Sequence, residues 1–403
     1  MSLSYFIARR YLFAKKSHNV INIISLISAL GILVGSCALV VVMSVYRGFE
    51  GIVRGMYDKS APDIVVSYAD GKYFDTNDTS IENIIRHPFT ESVSFTVEET
   101  VFLNYGREEG VAILKGVDAQ FEKSPTVSLD MVEGVFDLYQ GEIAHTAVGR
   151  KLYSEMGISS RFLTPVEVYF PKTDEEISVV NPLNSLRKEV FFPCGVFSAS
   201  DGEHDSFLYV PLDRAQSLLG LDSTQAGAME IKIVPGTPYS KVLNEFSAIL
   251  GESYIVRDRY MQNETVYRMM KVERIVIYMI LLFVIIVICF NVFGSLTMLI
   301  IEKRDDIMTL KYLGANDSLI KKIFFSEGYM IIMLGAVVGI SLGVALVLVQ
   351  KYVGVISMPG NFVVDYYPVV LSWSDLLFTF ASIAFIGLVM TFFPVRNALS
   401  KML

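Results

Sequence analysis

Charge is scarce in this sequence. Of its 403 residues only 19% are Asp, Glu, Lys or Arg, while 52% are hydrophobic, a balance unlike that of soluble domains. Cysteine is scarcer still: Cys37 and Cys289 fall in apolar runs, and Cys194 stands alone in a polar region. That excludes an intramolecular disulfide in the polar region and any cysteine-based metal spacing, and four scattered histidines (His18, His87, His145, His204) add none. Nucleotide-binding signatures are missing too: no G-x-x-x-x-G-K-S/T occurs, and no G-x-G-x-x-G follows a strand. H-E-x-x-H is absent, and no G-x-S-x-G forms a nucleophile elbow after a strand, the one match, Gly339–Gly343, lying inside an apolar run. The acidic pairs Glu98–Glu99 and Glu108–Glu109 read as solvated faces. The expectation is therefore a chain with no catalytic residue, bound cofactor or metal of its own. With a net charge of −8 and no basic face of useful size, it is not expected to bind nucleic acid.

What is present is apolar length. A bilayer crossing needs about 20 apolar residues, and four runs qualify: 20–46, 271–301, 328–350 and 375–394. The first could pass for a secretory leader, but a leader's apolar core has only about 7–15 residues and a cleavage site behind it. Beyond Arg274, where the second run is expected to enter the membrane, no run holds an embedded Asp, Glu, Lys or Arg triplet of the kind an ion-coupled carrier uses. Ahead of the first run, segment 1–19 interleaves Leu3, Phe6, Ile7, Tyr11 and Phe13 with Arg9, Arg10, Lys15 and Lys16, as an amphipathic helix lying in the membrane interface would. Eleven Lys and Arg fall in 1–19, 302–327 and 395–403, against Lys351 alone in 351–374. The positive-inside bias then puts both termini and 302–327 in the cytoplasm, and 47–270 and 351–374 outside. The expected fold is a polytopic α-helical membrane protein with four transmembrane helices. A large α+β extracytoplasmic domain lies between helices 1 and 2.

The acidic excess sits in that domain, with 34 acidic against 20 basic residues between Arg47 and Met270. Its β-branched and aromatic stretches predict strands at Asp63–Tyr68, Val93–Leu103, Val111–Gly116, Val166–Phe170, Val190–Phe197, Phe207–Val210 and Met229–Val234. Helices are expected at Ile81–Arg86, Ala144–Met156, Pro211–Leu219 and Tyr239–Leu250, and one long helix from Tyr260 to Ile301. The order suggests two lobes, the first completed by chain returning after about residue 224. The excursion Pro171–Glu189, with Pro182, Leu183 and Asn184 toward its tip, is too long for a tight hairpin.

The small-residue pairs Gly31/Gly35 and Gly335/Gly339/Gly343 recur every fourth residue, a spacing that lets helices pack closely. A lone Asn291 in the second run is read as a packing residue, and Glu327 as a helix-end residue contacting Lys321 or Lys322. Segment 302–327 reads as two short helices, with Ile307 and Leu310 on one face, Gly314 as stop and Asn316 or Asp317 as cap. A cytoplasmic helix pair between two spans is a handle for another protein. The chain has parts for transmitting motion and no energy source, so a partner that hydrolyses ATP is expected.

The run Phe6–Glu50, the sequence Ala61-Pro62-Asp63-Ile64, EKRDDIMTLKYLGAN (Glu302–Asn316) and FPVRNAL (Phe393–Leu399) resemble the lipoprotein-releasing permeases of LolC/LolE type. These belong to the FtsX-like/MacB-like permease superfamily of ABC transporters. The resemblance extends over essentially the whole chain, and EKR-x-x-I-x-x-L-x-x-LGA is its most specific part. It implies a MacB-like periplasmic core domain at 47–270 and an inner-membrane location. It also implies a dimer with a second permease subunit, identical or paralogous, and a cytoplasmic ABC ATPase carrying the ATP and Mg. The coupling helix would offer that ATPase Ile307, Leu310 and Leu313 as apolar contacts, with Lys303, Arg304 and Lys311 as polar rim and Gly314 as stop. Lipoprotein cargo would leave the lipid of the inner membrane by mechanotransmission and pass to a periplasmic LolA-like chaperone. A hook in the outer domain would hold that chaperone, and Pro182, Leu183 and Asn184 stand in the corresponding place. Two alternatives carry the same architecture: an exporter of peptides or antibiotics, and a non-transporting FtsX-like regulator of cell-wall enzymes.

Overall fold

The computed structural model describes residues 6–7, 20–127, 129–139, 143–161, 164–172, 185–358 and 364–400. The chain divides into two compact units, one formed by the described residues up to Ile52 with those from Arg268 onward, the other by Val53–Tyr267. The first helix, α1 (Val20–Ser60), is followed by the elements of the second unit.

Those elements are β1 (Ile64–Tyr68), β2 (Phe74–Asp75), α2 (Thr79–Ile85), β3 (Thr90–Tyr105), β4 (Glu108–Val117), α3 (Ala119–Lys123) and β5 (Leu129–Gly134). Next come β6 (His145–Gly149), α4 (Arg150–Met156), β7 (Val166–Pro171), β8 (Leu186–Ala199), β9 (Phe207–Pro211) and α5 (Leu212–Leu219). The unit closes with β10 (Gln225–Ala226), β11 (Ala228–Ile233), α6 (Tyr239–Leu250), β12 (Tyr254–Asp258) and α7 (Arg259–Gln262). Ala144–Met156, expected as one helix, is instead a strand and then a helix. Thr146–Val148 pair with β8, and that tertiary pairing overrides local helix propensity.

The main sheet runs β12-β1-β11-β3-β4-β9-β6-β8-β5, with β7 pairing both β3 and β8. Six strands, β3, β4, β9, β6, β8 and β7, therefore close on themselves. Alternate residues of each strand point into this circuit, among them Val101 and Leu103, Ala112 and Leu114, Val166 and Val168, Leu208 and Val210, all at most 2% exposed. Leu152 and Met156 of α4 and Ala215 and Leu218 of α5 belong to the same core. The other lobe is the antiparallel set β12-β1-β11-β3. Its core joins Ile64, Val66, Met229 and Ile231 to Ile81 and Ile84 of α2 and to Val242, Phe246 and Leu250 of α6, spacings that put one face of each helix on the sheet.

Where the lobes share β3, a charge is buried. Lys115 of β4 donates to Glu230 of β11 at 2.6 Å and is paired with Glu98 of β3 at 2.7 Å, and Lys115 and Glu230 are each 2% exposed. Thr126 donates to the other oxygen of Glu230. Burial works against the ammonium, but Glu230 and then Glu98 outweigh it and hold Lys115 well above the usual lysine range. This cluster lines a cavity of about 460 Å3 together with Tyr73 and His204.

The helical unit comprises α1, α8 (Glu264–Glu302), α9 (Arg304–Tyr312), α10 (Asp317–Val353) and α11 (Trp373–Ser400). All but α9 are long and apolar enough to span a membrane. The expected helix from Tyr260 is broken at Asn263, because Asp258 caps α7 on its own, accepting from the Met261 amide at 2.8 Å. Close approaches occur at glycines. A Cβ on Gly335 would stand 2.8 Å from the Ala29 carbonyl oxygen, and one on Gly343 would stand 2.9 Å from Val40 Cβ. At Gly339 it would fall on the Leu33 carbonyl, with Leu33 Cα at 2.9 Å. Gly31 and Gly35 face Ile288 of α8 instead, at 2.9 and 3.1 Å. The five glycines named from the sequence thus lie at contacts of α1 with α10 and with α8. Ile32, Leu39, Cys289, Val292, Ile332 and Ile383 form the core between the four long helices.

Two readings of this unit are corrected. Glu327 contacts neither Lys321 nor Lys322, which lie six and five residues before it and so on other faces of the helix. Its side chain is buried, 3% exposed, and Oε2 has no hydrogen-bond partner among the described residues. Asn291, expected to pack between helices, is on the exposed side of α8. At the opposite end of the bundle, Arg47 makes a two-pronged ion pair with Asp375 at 2.5 and 2.9 Å. Tyr46 donates to the Met270 carbonyl at 2.5 Å.

Candidate coupling site

Helix α9 is a nine-residue element between two long helices. Its ends are fixed by charge and by a turn. Asp305 and Asp306 occupy the first turn and Lys311 the last, the arrangement that complements the helix dipole. At the far end the Gly314 amide donates to Lys311 O at 2.9 Å and the Ala315 amide to Leu310 O at 2.9 Å. That pair of bonds is a Schellman motif, and it places Gly314 at φ +91°, where a side chain would be strained. One residue past Ala315, Asn316 caps α10, its side chain accepting from the Leu319 amide at 2.8 Å.

The residues expected to serve a partner separate onto different sides. Ile307 is turned inward, 4% exposed, against Leu299, Ile300, Ile320, Phe324 and Val395. Leu310 is half-buried, and Leu313 is 79% exposed. Lys303 is paired with Asp306 at 3.0 Å and Lys311 with Asp317 at 3.4 Å, while Arg304 is exposed. Beside Leu313 stands Tyr312, the most exposed aromatic residue of the element at 88%, with Met308 one turn back at 44%. Sequence reading missed Tyr312 and Met308. The signal was there: with Ile307 inward, the i, i+4 pair 308 and 312 lies on another face. Pro182, Leu183 and Asn184 lie outside the described residues. Among the described residues no group of three metal-ligating side chains exists.

The arrangement is a helix anchored from below by Ile307, stopped by Gly314, and tipped with exposed side chains, Tyr312 and Leu313. Residues 25–249 match the family model described as the MacB-like periplasmic core domain, and residues 278–403 that of the FtsX-like permease C-terminal region. The chain belongs to the FtsX-like, MacB-like permease family. The permease is 26% identical over 426 residues to the lipoprotein-releasing system transmembrane protein LolE of Haemophilus influenzae, covering 99% of this chain and 97% of that one. It is 26% identical to LolC of Neisseria meningitidis, covering 98% and 97%. Among solved structures, the periplasmic region of MacB from Actinobacillus actinomycetemcomitans aligns with a TM-score of 0.37 at 13% identity, over 53% of this chain and 95% of that one.

Proposed function

We propose that this chain is the permease subunit of an ATP-driven complex that extracts lipoproteins from the inner membrane, with α9 as the coupling helix for a separate ATPase. The observation that carries the coupling role is the tip: Tyr312 and Leu313 are 88% and 79% exposed between two spans. Burying one such side chain stabilises a complex by roughly 1.5–3 kcal/mol. The absence of a nucleotide-binding motif in the sequence and the likeness to LolC and LolE support the same reading.

In this reading Ile307 positions the helix rather than touching the partner, and Met308, Tyr312 and Leu313 make the apolar contact, rimmed by Arg304, Lys303 and Lys311. The outer domain faces the periplasm, the termini the cytoplasm. Helix α8 is less covered by its neighbours than α1, and it offers its exposed face, with Asn291, to a second permease subunit. Cargo passes to a periplasmic chaperone.

The test is a tagged permease purified from its own membrane. The wild type copurifies an ABC ATPase, and Leu313→Asp lowers that recovery at least tenfold and stops lipoprotein release from spheroplasts. Full ATPase recovery with Leu313→Asp would reject the coupling role. Normal lipoprotein release together with retention of peptides or antibiotics in a strain lacking the chain would favour the exporter.

A further inference from the structure

At the end of the helical unit where α10 begins and α11 finishes lies a pocket of about 510 Å3, within the size range of small-ligand sites. Its wall is two stripes. Ser318, Lys321, Lys322 and Phe325 sit at i, i+3, i+4 and i+7 on α10, and Phe392, Val395 and Arg396 at i, i+3 and i+4 on α11. Each helix therefore turns one face to the pocket. Three cations meet there, and no counter-charge reaches them from the described residues. Among the described residues Lys321, Lys322 and Arg396 have no ion-pair or hydrogen-bond partner, whereas the nearby Lys311 is paired with Asp317 at 3.4 Å.

The two helices run in opposite senses, yet the order of residue types agrees. Entering the apolar part of α10, Lys321 and Lys322 precede Phe325. Leaving the apolar part of α11, Phe392 precedes Arg396. On both, an aromatic ring stands about one turn, roughly 5 Å, deeper than a cation. A free inorganic anion has no use for the rings. A molecule with phosphate at one level and hydrocarbon directly beneath it is a phospholipid, and three unmatched cations select an anionic one.

We propose that this pocket binds an anionic phospholipid, its phosphate held by Lys321, Lys322 and Arg396 and its acyl chains lying along Phe325 and Phe392. The site is separate from the apolar tip of α9 and its occupancy does not depend on which cargo the permease moves.

The experiment titrates the full chain, purified with its accompanying subunits and stripped of lipid, with phosphatidylglycerol or phosphatidylcholine and counts retained lipid by native mass spectrometry. The wild type is expected to retain phosphatidylglycerol at concentrations where phosphatidylcholine is lost. Each of Lys321→Gln, Lys322→Gln and Arg396→Gln should weaken retention about fivefold, and the triple variant about a hundredfold. The charge-conserving pair Lys321→Arg and Lys322→Arg should retain it. Equal retention of the two lipids by the wild type would overturn the proposal, and that comparison needs no variant to fold. So would wild-type retention by the triple variant, or displacement of the lipid by inorganic phosphate at matched concentration.

Discussion

At Gly339 the backbones of α1 and α10 approach so closely that a single added carbon meets the Leu33 main chain. Main chain cannot swing aside as a side chain can. Gly339→Val should therefore cost at least the roughly 1–3 kcal/mol of an overpacked core. It should be read as a lowered unfolding temperature of the detergent-solubilised chain and poorer accumulation in membranes. Gly31→Ala is the milder control, because its nearest neighbour is the Ile288 side chain. The four-residue spacing of these glycines was legible in the sequence, and so was their use in helix packing. Which helix each would meet was not, since spacing describes one helix only. Asn291 shows the converse error. A polar residue in an apolar run draws the eye inward, but nothing in the sequence says which face of α8 the bundle covers.

Single elements are held by short-range chemistry that a sequence displays well. The stop at Gly314 and the cap at Asn316 were both readable, because a Schellman turn and a side-chain cap need particular residue types at particular offsets. What could not be read was the rotation of α9, which depends on the pocket that receives Ile307. In the α+β domain, Asp78 caps α2, accepting from the Ser80 amide at 2.9 Å and from the Tyr254 hydroxyl at 2.7 Å. The Ser80 amide and then Tyr254 hold its carboxyl below the usual range. A lowered carboxyl stabilises the fold above the ordinary carboxylate range, near pH 4, and loses that contribution as pH falls through the lowered value. Asp78→Ala should thus weaken α2 by about 1 kcal/mol at neutral pH. Faster hydrogen exchange of the Ile81 and Ile84 amides should report it. The gap between variant and wild type should narrow as pH drops below about 4.

The whole molecule is four apolar helices and one α+β domain, and apolar length alone made that plan visible. Helix ends were less so. Apolar runs mark the thickness of a bilayer, whereas α1 continues to Ser60 and α8 begins at Glu264, positions set by turns rather than by hydrophobicity. Closure of the six strands was also hidden, because it rests on β7 pairing with β3, far back in the chain, as well as with its neighbour β8. Orientation can be tested at one site. With Tyr312→Cys on a background lacking Cys37, Cys194 and Cys289, a membrane-impermeant maleimide should label right-side-out spheroplasts only after permeabilisation. Labelling of intact spheroplasts would place α9 on the outer side and end the coupling proposal.

Strand β3, sixteen residues long, takes part in both lobes of the α+β domain. Its first half pairs with β11 and its second half with β4 and β7, so every strand of the closed ring other than β3 enters the chain between β3 and β11. The ring is thus an insert hung from a frame that both chain ends already complete. Enlarging, trimming or exchanging that insert would leave the frame that carries it unchanged.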